Sequence, residues 1–497
     1  MTLRVPGLAG HAKALTATFG ALALITGVAA AVAPSVLASQ DVPAAEATAA
    51  PTLATGAAAV SQPSIPATCE TLDAQLETSD ELFSSSDESS PPDTTRIQDA
   101  LNSCSGKGEA VVLAPSGSDN AFLSGPLSLP ASVTLVVDDG ATLYASRDPA
   151  NYQVSGQATC GTTASTGNGC KPFINVTGSD AGIMGTQGSN GSQGEIDGRG
   201  DQDILGTSTT WWGLSSQAQT DDDQQNNPRL IESDGFNNLT VYDIDLVNAP
   251  LFHIYFQSGS GLTVWGVRIK TPATARNTDG IDPDSSTDVT VNDSYIQDGD
   301  DGIAIKTNAS AASGITIENS HFYGTHGISI GSETQFGVSN VLIENDTIQG
   351  TDSSGNESTS NNGIRIKTDS SDGGKVDEIT YDDICETGVQ DLIDVNPFYA
   401  SGNGSTTPDF TSIVVDGLKS VDSVSGAESV LEGFDASNPL GLTLENVDLD
   451  STTTSAEYAD IGEFDTNITP SGTDVTVTSI SGSGSVPSCS FPSYPGL

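Results

Sequence analysis

The sequence predicts an all-β protein wound as a parallel β-helix, on three observations. One phrase recurs down the chain, as LTVYDIDL at 239, LTVWGVRI at 262, VTVNDSYI at 289, ITIENSHF at 315 and VLIENDTI at 341, then in shorter form at 379, 413, 442 and 475. Each copy alternates apolar with polar residues, turns, and adds another apolar pair. The first spacings are 23, 27, 26 and 26 residues, and later ones stretch as lengthened loops would stretch them. That unit is strand-rich and has no helix of its own, which suits stacked coils. Glycine, at 53 residues, joins Ser, Thr, Asn and Asp in crowding the spaces between short apolar runs, as a turn-rich β protein requires. A propeller is the runner-up, but its blades need ~40 residues and four strands each. A β-sandwich would not keep one phrase through nine units.

At the N-terminus, Arg4, His11 and Lys13 precede a run of apolar and small residues from Ala14 to Ala33, and Val36-Leu37-Ala38 offers a small-residue cleavage site. Residues 1–38 therefore read as a secretory signal peptide, and the mature chain as extracellular. An uncleaved anchor is the alternative, since the run is about long enough to span a bilayer. Residues 39–66 are Ala, Pro, Thr and Ser with almost no charge, a linker or pro-region. Residues 67–497 are assigned to the β-helix. Its first element is an amphipathic helix with Ile97, Ala100 and Leu101 on one face and Thr94 or Thr95 as cap. It would cover the open N-terminal end of the coil, where bare strand edges invite aggregation.

The six cysteines, an even number in an exported chain, read as disulfides. Short loop closure favours Cys69–Cys104 and Cys160–Cys170, leaving Cys385 with Cys489; none has the CxxC spacing of a zinc site. No metal or cofactor is expected. With 65 acidic against 16 basic residues, the formal charge of −49 argues against nucleic acid or an anionic membrane as partner. It predicts high solubility and a monomer, and fits life in salt or acid, where self-repulsion is screened or titrated away.

In a coil fold, residues one coil apart in sequence become neighbours in space. Four phrases carry reactive residues at that step: NTDGID at 277–282, GDDGIAIK at 299–306, GTHGISIGS at 324–332 and GIRIK at 363–367. Asp279 to Asp300 is 21 residues, Asp301 to His326 is 25, and His326 to Arg365 is 39, one coil plus a polar insert. Alternation within RIK points Arg365 and Lys367 to one face. Taken singly, each piece has an ordinary structural explanation: a turn, an acidic run, a satisfied histidine, a solvated face. Their coincidence in register does not. Closely placed carboxylates cannot all ionise readily, so one keeps a proton and can act as a general acid while the others hold a water. Those are the two roles of glycoside hydrolysis. A histidine can tune the acid, and the cations can hold an anionic group on the sugar.

These segments, with IDGRG at 196–200 and NAPLFHIYF at 248–256, resemble the polygalacturonases of glycoside hydrolase family 28, and bacterial endopolygalacturonases in particular. The resemblance covers roughly residues 67–495. It implies a right-handed parallel β-helix that hydrolyses α-1,4-galacturonosyl bonds of pectin with inversion. By position Asp300 would be the general acid, Asp279 and Asp301 would hold the attacking water, and His326 would support the acid. Arg365 and Lys367 would bind galacturonate carboxylates, and Tyr399 falls where the family places a substrate-contacting tyrosine. A pectate lyase, an exo-acting or rhamnogalacturonan hydrolase, and a non-catalytic glycan-binding β-helix remain the rival readings.

Overall fold

The computed structural model describes residues 53–402 and 404–497. The signal-peptide assignment and the first half of the linker lie outside the described residues. The chain forms a right-handed parallel β-helix, with a long parallel stack of 22 strands and a second of 11. Most coils give two strands to the long stack and one to the shorter. The repeated phrase is in register throughout: Leu239, Leu262, Val289, Ile315, Val341, Ile379, Ile413 and Leu442 pair Cα to Cα up the stack.

Each phrase turns at one position, and the residue there has positive φ: Asp243 (47°), Gly266 (65°), Asp293 (49°), Asn319 (53°), Asn345 (57°), Asp383 (53°), Gly417 (81°) and Asn446 (55°). The left-handed region admits Gly, and Asn and Asp at low cost. That is why the first eight copies carry N, D or G after the fourth residue. One coil escaped the sequence reading. Strand Ala459–Thr466 sits between Leu440–Asp448 and Val475–Ser479. Its text ADIGEFDT puts Gly462 where other copies place a β-branched residue or leucine.

The five outward residues before these corners stack as a column of acids, Glu318, Glu344, Asp382, Asp416 and Glu445, one per coil. Strand spacing sets them ~4.8 Å apart. Burial and the neighbouring acids Asp383, Asp416 and Glu344 push Asp382 up to about 6. Part of the net charge is therefore arranged against itself on one face.

The capping helix spans Thr94–Cys104, with Ile97, Leu101 and Cys104 fully buried against the first coils. Its N-cap is Asp93, not a threonine, and makes no side-chain capping bond. The Asp93 carboxylate instead accepts from Arg96 Nε at 2.6 Å and Leu123 N at 2.7 Å, while Thr94 Oγ1 accepts from Gly125 N at 2.7 Å. Both polar groups dock the helix onto the coil. Disulfides join Cys69–Cys104, Cys160–Cys170 and Cys385–Cys489.

The termini of the described chain run along the outside as straps. Residues 54–57, expected to be linker, donate to Thr380, Asn340 and Thr316 side chains of successive coils. At the other end, Tyr494 packs edge-on to Tyr295 and Tyr323, its hydroxyl donating to Ile269 O at 2.9 Å.

Candidate active site

The shorter stack builds the site. Its inward side is a column of isoleucines, Ile254, Ile281, Ile303, Ile328, Ile364 and Ile393, paired coil to coil and buried. Each such side chain contributes ~1.5–3 kcal/mol of burial, which fixes the register of the residues beside it. One residue earlier stands a glycine, Gly280, Gly302, Gly327 or Gly363. A Cβ on Gly280 would sit 2.5 Å from Gly302 O, and one on Gly327 (φ 92°) would sit 2.3 Å from Gly363 O. Only glycine lets the coils close up there. Two residues before each isoleucine come Asp279, Asp301 and His326, which therefore occupy one equivalent position in three successive coils.

Asp300 is fixed from both sides. His326 Nδ1 lies 3.0 Å from its Oδ1, and Asn277 donates to its Oδ2 from the backbone at 3.3 Å and from Nδ2 at 3.2 Å. Asn277 is held in turn by Gln225 Nε2 at 3.0 Å, and His326 Nε2 meets Thr359 Oγ1 at 3.0 Å. Asp301 is buried, with Lys367 Nζ 2.7 Å from Oδ2 and Ser329 Oγ donating to Oδ1 at 2.7 Å. Asp279 is buried, with Lys306 Nζ 3.5 Å from Oδ2 and no protein partner on Oδ1. Behind it, the fully buried His253 bonds at 3.1 Å to the carbonyls of Thr278 and Asp279. Burial lowers His253 to about 4, so it is neutral and braces the backbone that carries Asp279.

Two of the carboxyls are shifted in opposite directions. Burial, then the charges of Asp282 and Asp300, push Asp279 well above the usual carboxylate range, against the pull of Lys306. Burial also pushes Asp300 up, but the hydrogen bond and charge of His326, with Lys367 and Lys306, outweigh it and hold Asp300 well below that range. Groups driven apart in this way are what acid–base chemistry at one site requires.

All four lie on a cleft of about 510 Å³ with Lys306, Lys367, Tyr399 and Arg276 among its walls. Lys306, given no role from sequence, bonds Asp282 at 2.7 Å and lies 4.7 Å from the Phe252 ring centre. Tyr399 is half exposed, its ring 5.1 Å from the Arg365 guanidinium and 5.0 Å from Lys367 Nζ. Arg365 itself does not line the cleft. It is buried behind Tyr399, with Nε 3.0 Å from Asp394 and Nη1 4.0 Å from Asp301. Sequence reasoning missed Asn277, His253 and Asp394, whose contacts cross between coils; Asn277 and His253 at least lay in the quoted phrases, and Asp394 carried no signal. Asp300, Asp301 and His326 also bring ligand atoms within 4.8 Å of one another, close enough to hold a metal ion. Lys367 already supplies the positive charge at Asp301.

A cleft walled by paired carboxylates, a histidine and sugar-sized aromatic faces, on a parallel β-helix, defines a glycoside hydrolase. The chain belongs to glycosyl hydrolases family 28, whose family model matches residues 124–483. A polygalacturonase of Ralstonia solanacearum is 36% identical over 498 aligned residues, covering 87% of this chain and 91% of the relative. An endo-polygalacturonase of Pectobacterium carotovorum subsp. carotovorum is 38% identical over 398 residues, covering 80% and 90%. The solved polygalacturonase of Erwinia carotovora ssp. carotovora superposes with a TM-score of 0.71 at 35% identity, covering 85% of this chain and all of that one.

Proposed function

We propose that the chain is a secreted, endo-acting polygalacturonase that hydrolyses α-1,4-galacturonosyl bonds of pectin with inversion. The observation that carries this is the convergence of Asp279, Asp300, Asp301 and His326 on one cleft of a family 28 chain. Relatives named as polygalacturonases and endo-polygalacturonases over most of the length support the substrate and the mode of attack. The N-terminal apolar run and three disulfides support secretion.

In this reading Asp300 delivers the proton to the leaving oxygen. His326 Nδ1 stands 3.0 Å from its Oδ1 and, with the charges of Lys367 and Lys306, holds it ionised in the free cleft. A galacturonate carboxylate entering the cleft adds negative charge, which raises Asp300 and favours its protonated form. Asp301, anchored by Lys367 and Ser329, and Asp279, with Oδ1 free of protein partners, hold the water on the other side. Tyr399 offers a ring face to the sugar, and Arg365 steadies Tyr399 and Asp301. The upward shift of Asp279, from burial and the charges of Asp282 and Asp300, favours a second assignment, with Asp279 as acid. An aryl galacturonoside with a good leaving group separates the two, since it needs no acid. It should rescue Asp300→Asn and not Asp279→Asn; the reverse reassigns the roles. The activity itself is tested by reducing ends released from polygalacturonate with product sizing. Mixed oligomers early in the reaction support endo cleavage, monomer alone an exo enzyme, and no reducing ends a binding protein.

A further inference from the structure

Arg365 and Lys367, expected to grip substrate carboxylates, are already engaged, and so is Lys306. Lys367 Nζ is 2.7 Å from Asp301, Lys306 Nζ is 2.7 Å from Asp282, and Arg365 Nε is 3.0 Å from Asp394. A polyanion entering a cleft with Asp279, Asp300, Asp301 and Glu333 on its walls needs a positive charge that is not spent in this way. Arg276 lines the same cleft, is only partly buried, and makes no ion pair among the described residues. Its backbone bridges to Gly299, the residue before Asp300, and the next residue, Asn277, bonds Asp300 Oδ2. Arg276 is therefore carried by the backbone that holds the Asp300 turn, and it lines the cleft together with Thr274, Ser216 and Gln219.

We propose that Arg276 is the side chain that reads a galacturonate carboxylate next to the scissile bond, and that it sets the preference for de-esterified over methyl-esterified chain. The inference rests on the polygalacturonase reading. A free guanidinium presents two parallel N–H groups to a carboxylate, and a methyl ester removes both the charge and the second acceptor oxygen. Lys306 and Lys367, each committed to an internal acid, keep those acids in place and give up less to the substrate.

The test is kcat/KM on polygalacturonate and on highly methyl-esterified pectin for wild type, Arg276→Gln and Arg276→Lys, with pH profiles of kcat. Arg276→Gln should lose on the order of tenfold to a hundredfold on the acid polymer, mainly through KM. Its rate on esterified pectin should stay within about twofold, and its pH profile should not move. Arg276→Lys should recover part of the loss, since charge returns without the fork. A thermal melt matching wild type shows that the variant folds. An unchanged preference for the acid polymer overturns the inference, and so does an equal loss on both polymers, which marks a structural role. Wild type releasing no reducing ends from either polymer overturns the polygalacturonase reading itself, a separate result.

Discussion

Lys367→Met tests how the site holds its carboxylates. Lys367 Nζ is 2.7 Å from Asp301 Oδ2, and the two side chains are only 5% and 4% exposed. Methionine keeps the length of the stem and removes the charge, leaving Asp301 buried without its main partner. Breaking a buried pair from one side costs about 3–5 kcal/mol, because the remaining charge stays desolvated. Two contacts soften this. Ser329 Oγ still donates at 2.7 Å, and Arg365 Nη1 stands 4.0 Å away, although its Nε serves Asp394. The expected loss is therefore near the lower end, about 3 kcal/mol. Asp301→Asn with Lys367→Met removes both charges and should recover most of it, since no buried charge is left unpaired. Unfolding free energies from urea titration of wild type, both single variants and the double variant give the coupling. A single variant within about 0.5 kcal/mol of wild type, or a double variant no better than Lys367→Met, would refute the claim that this pair is what keeps Asp301 in the site.

Asp300→Asn should keep fold and polygalacturonate binding and lose nearly all turnover on the polymer, measured as reducing ends, because an amide delivers no proton. The acid column makes a pH prediction with a definite sign. Asp382 is raised to about 6, so the folded state binds this proton more tightly than the unfolded chain, and stability falls as pH rises through 6. The melting temperature should be higher at about pH 5.5 than at about pH 7.5, and the gap should narrow in about 1 M salt. Asp382→Asn should raise the melting temperature at the higher pH and leave kcat/KM unchanged; a drop in either contradicts this role for the column. Cys489→Ser should free the C-terminal strap that Cys385 ties down, so limited proteolysis trims residues 490–497 and Tyr323 becomes accessible while the cleft stays active. Resistance to trimming would show that the tyrosine packing alone suffices.

Coils and site were legible for one reason: both depend on a strict register. Alternating apolar residues followed by Asn, Asp or Gly mark a strand and a left-handed corner, and the step between copies brings Asp279, Asp301 and His326 to one position. What stayed hidden depends on side-chain pairing across coils. The sequence shows Arg365 and Lys367 on one face, but not that Asp394 and Asp301 have already claimed them. Neither Asp93 nor Thr94 closes a side-chain cap on the Thr94–Cys104 helix because backbone N–H groups of the coil claim both side chains. Ala459–Thr466 was missed because Glu463 takes the apolar position that Leu444 fills in the neighbouring coil, which breaks the alternation.

The central claim is hydrolysis of the galacturonan chain with water delivered from the Asp279–Asp301 side and the proton from the Asp300–His326 side. Proton NMR of polygalacturonate during the first minutes of reaction tests it most directly. The account predicts that the first reducing ends appear as the β-anomer and then mutarotate to the equilibrium mixture. First-formed α-anomer, or an unsaturated product with a new ultraviolet absorption, would contradict it.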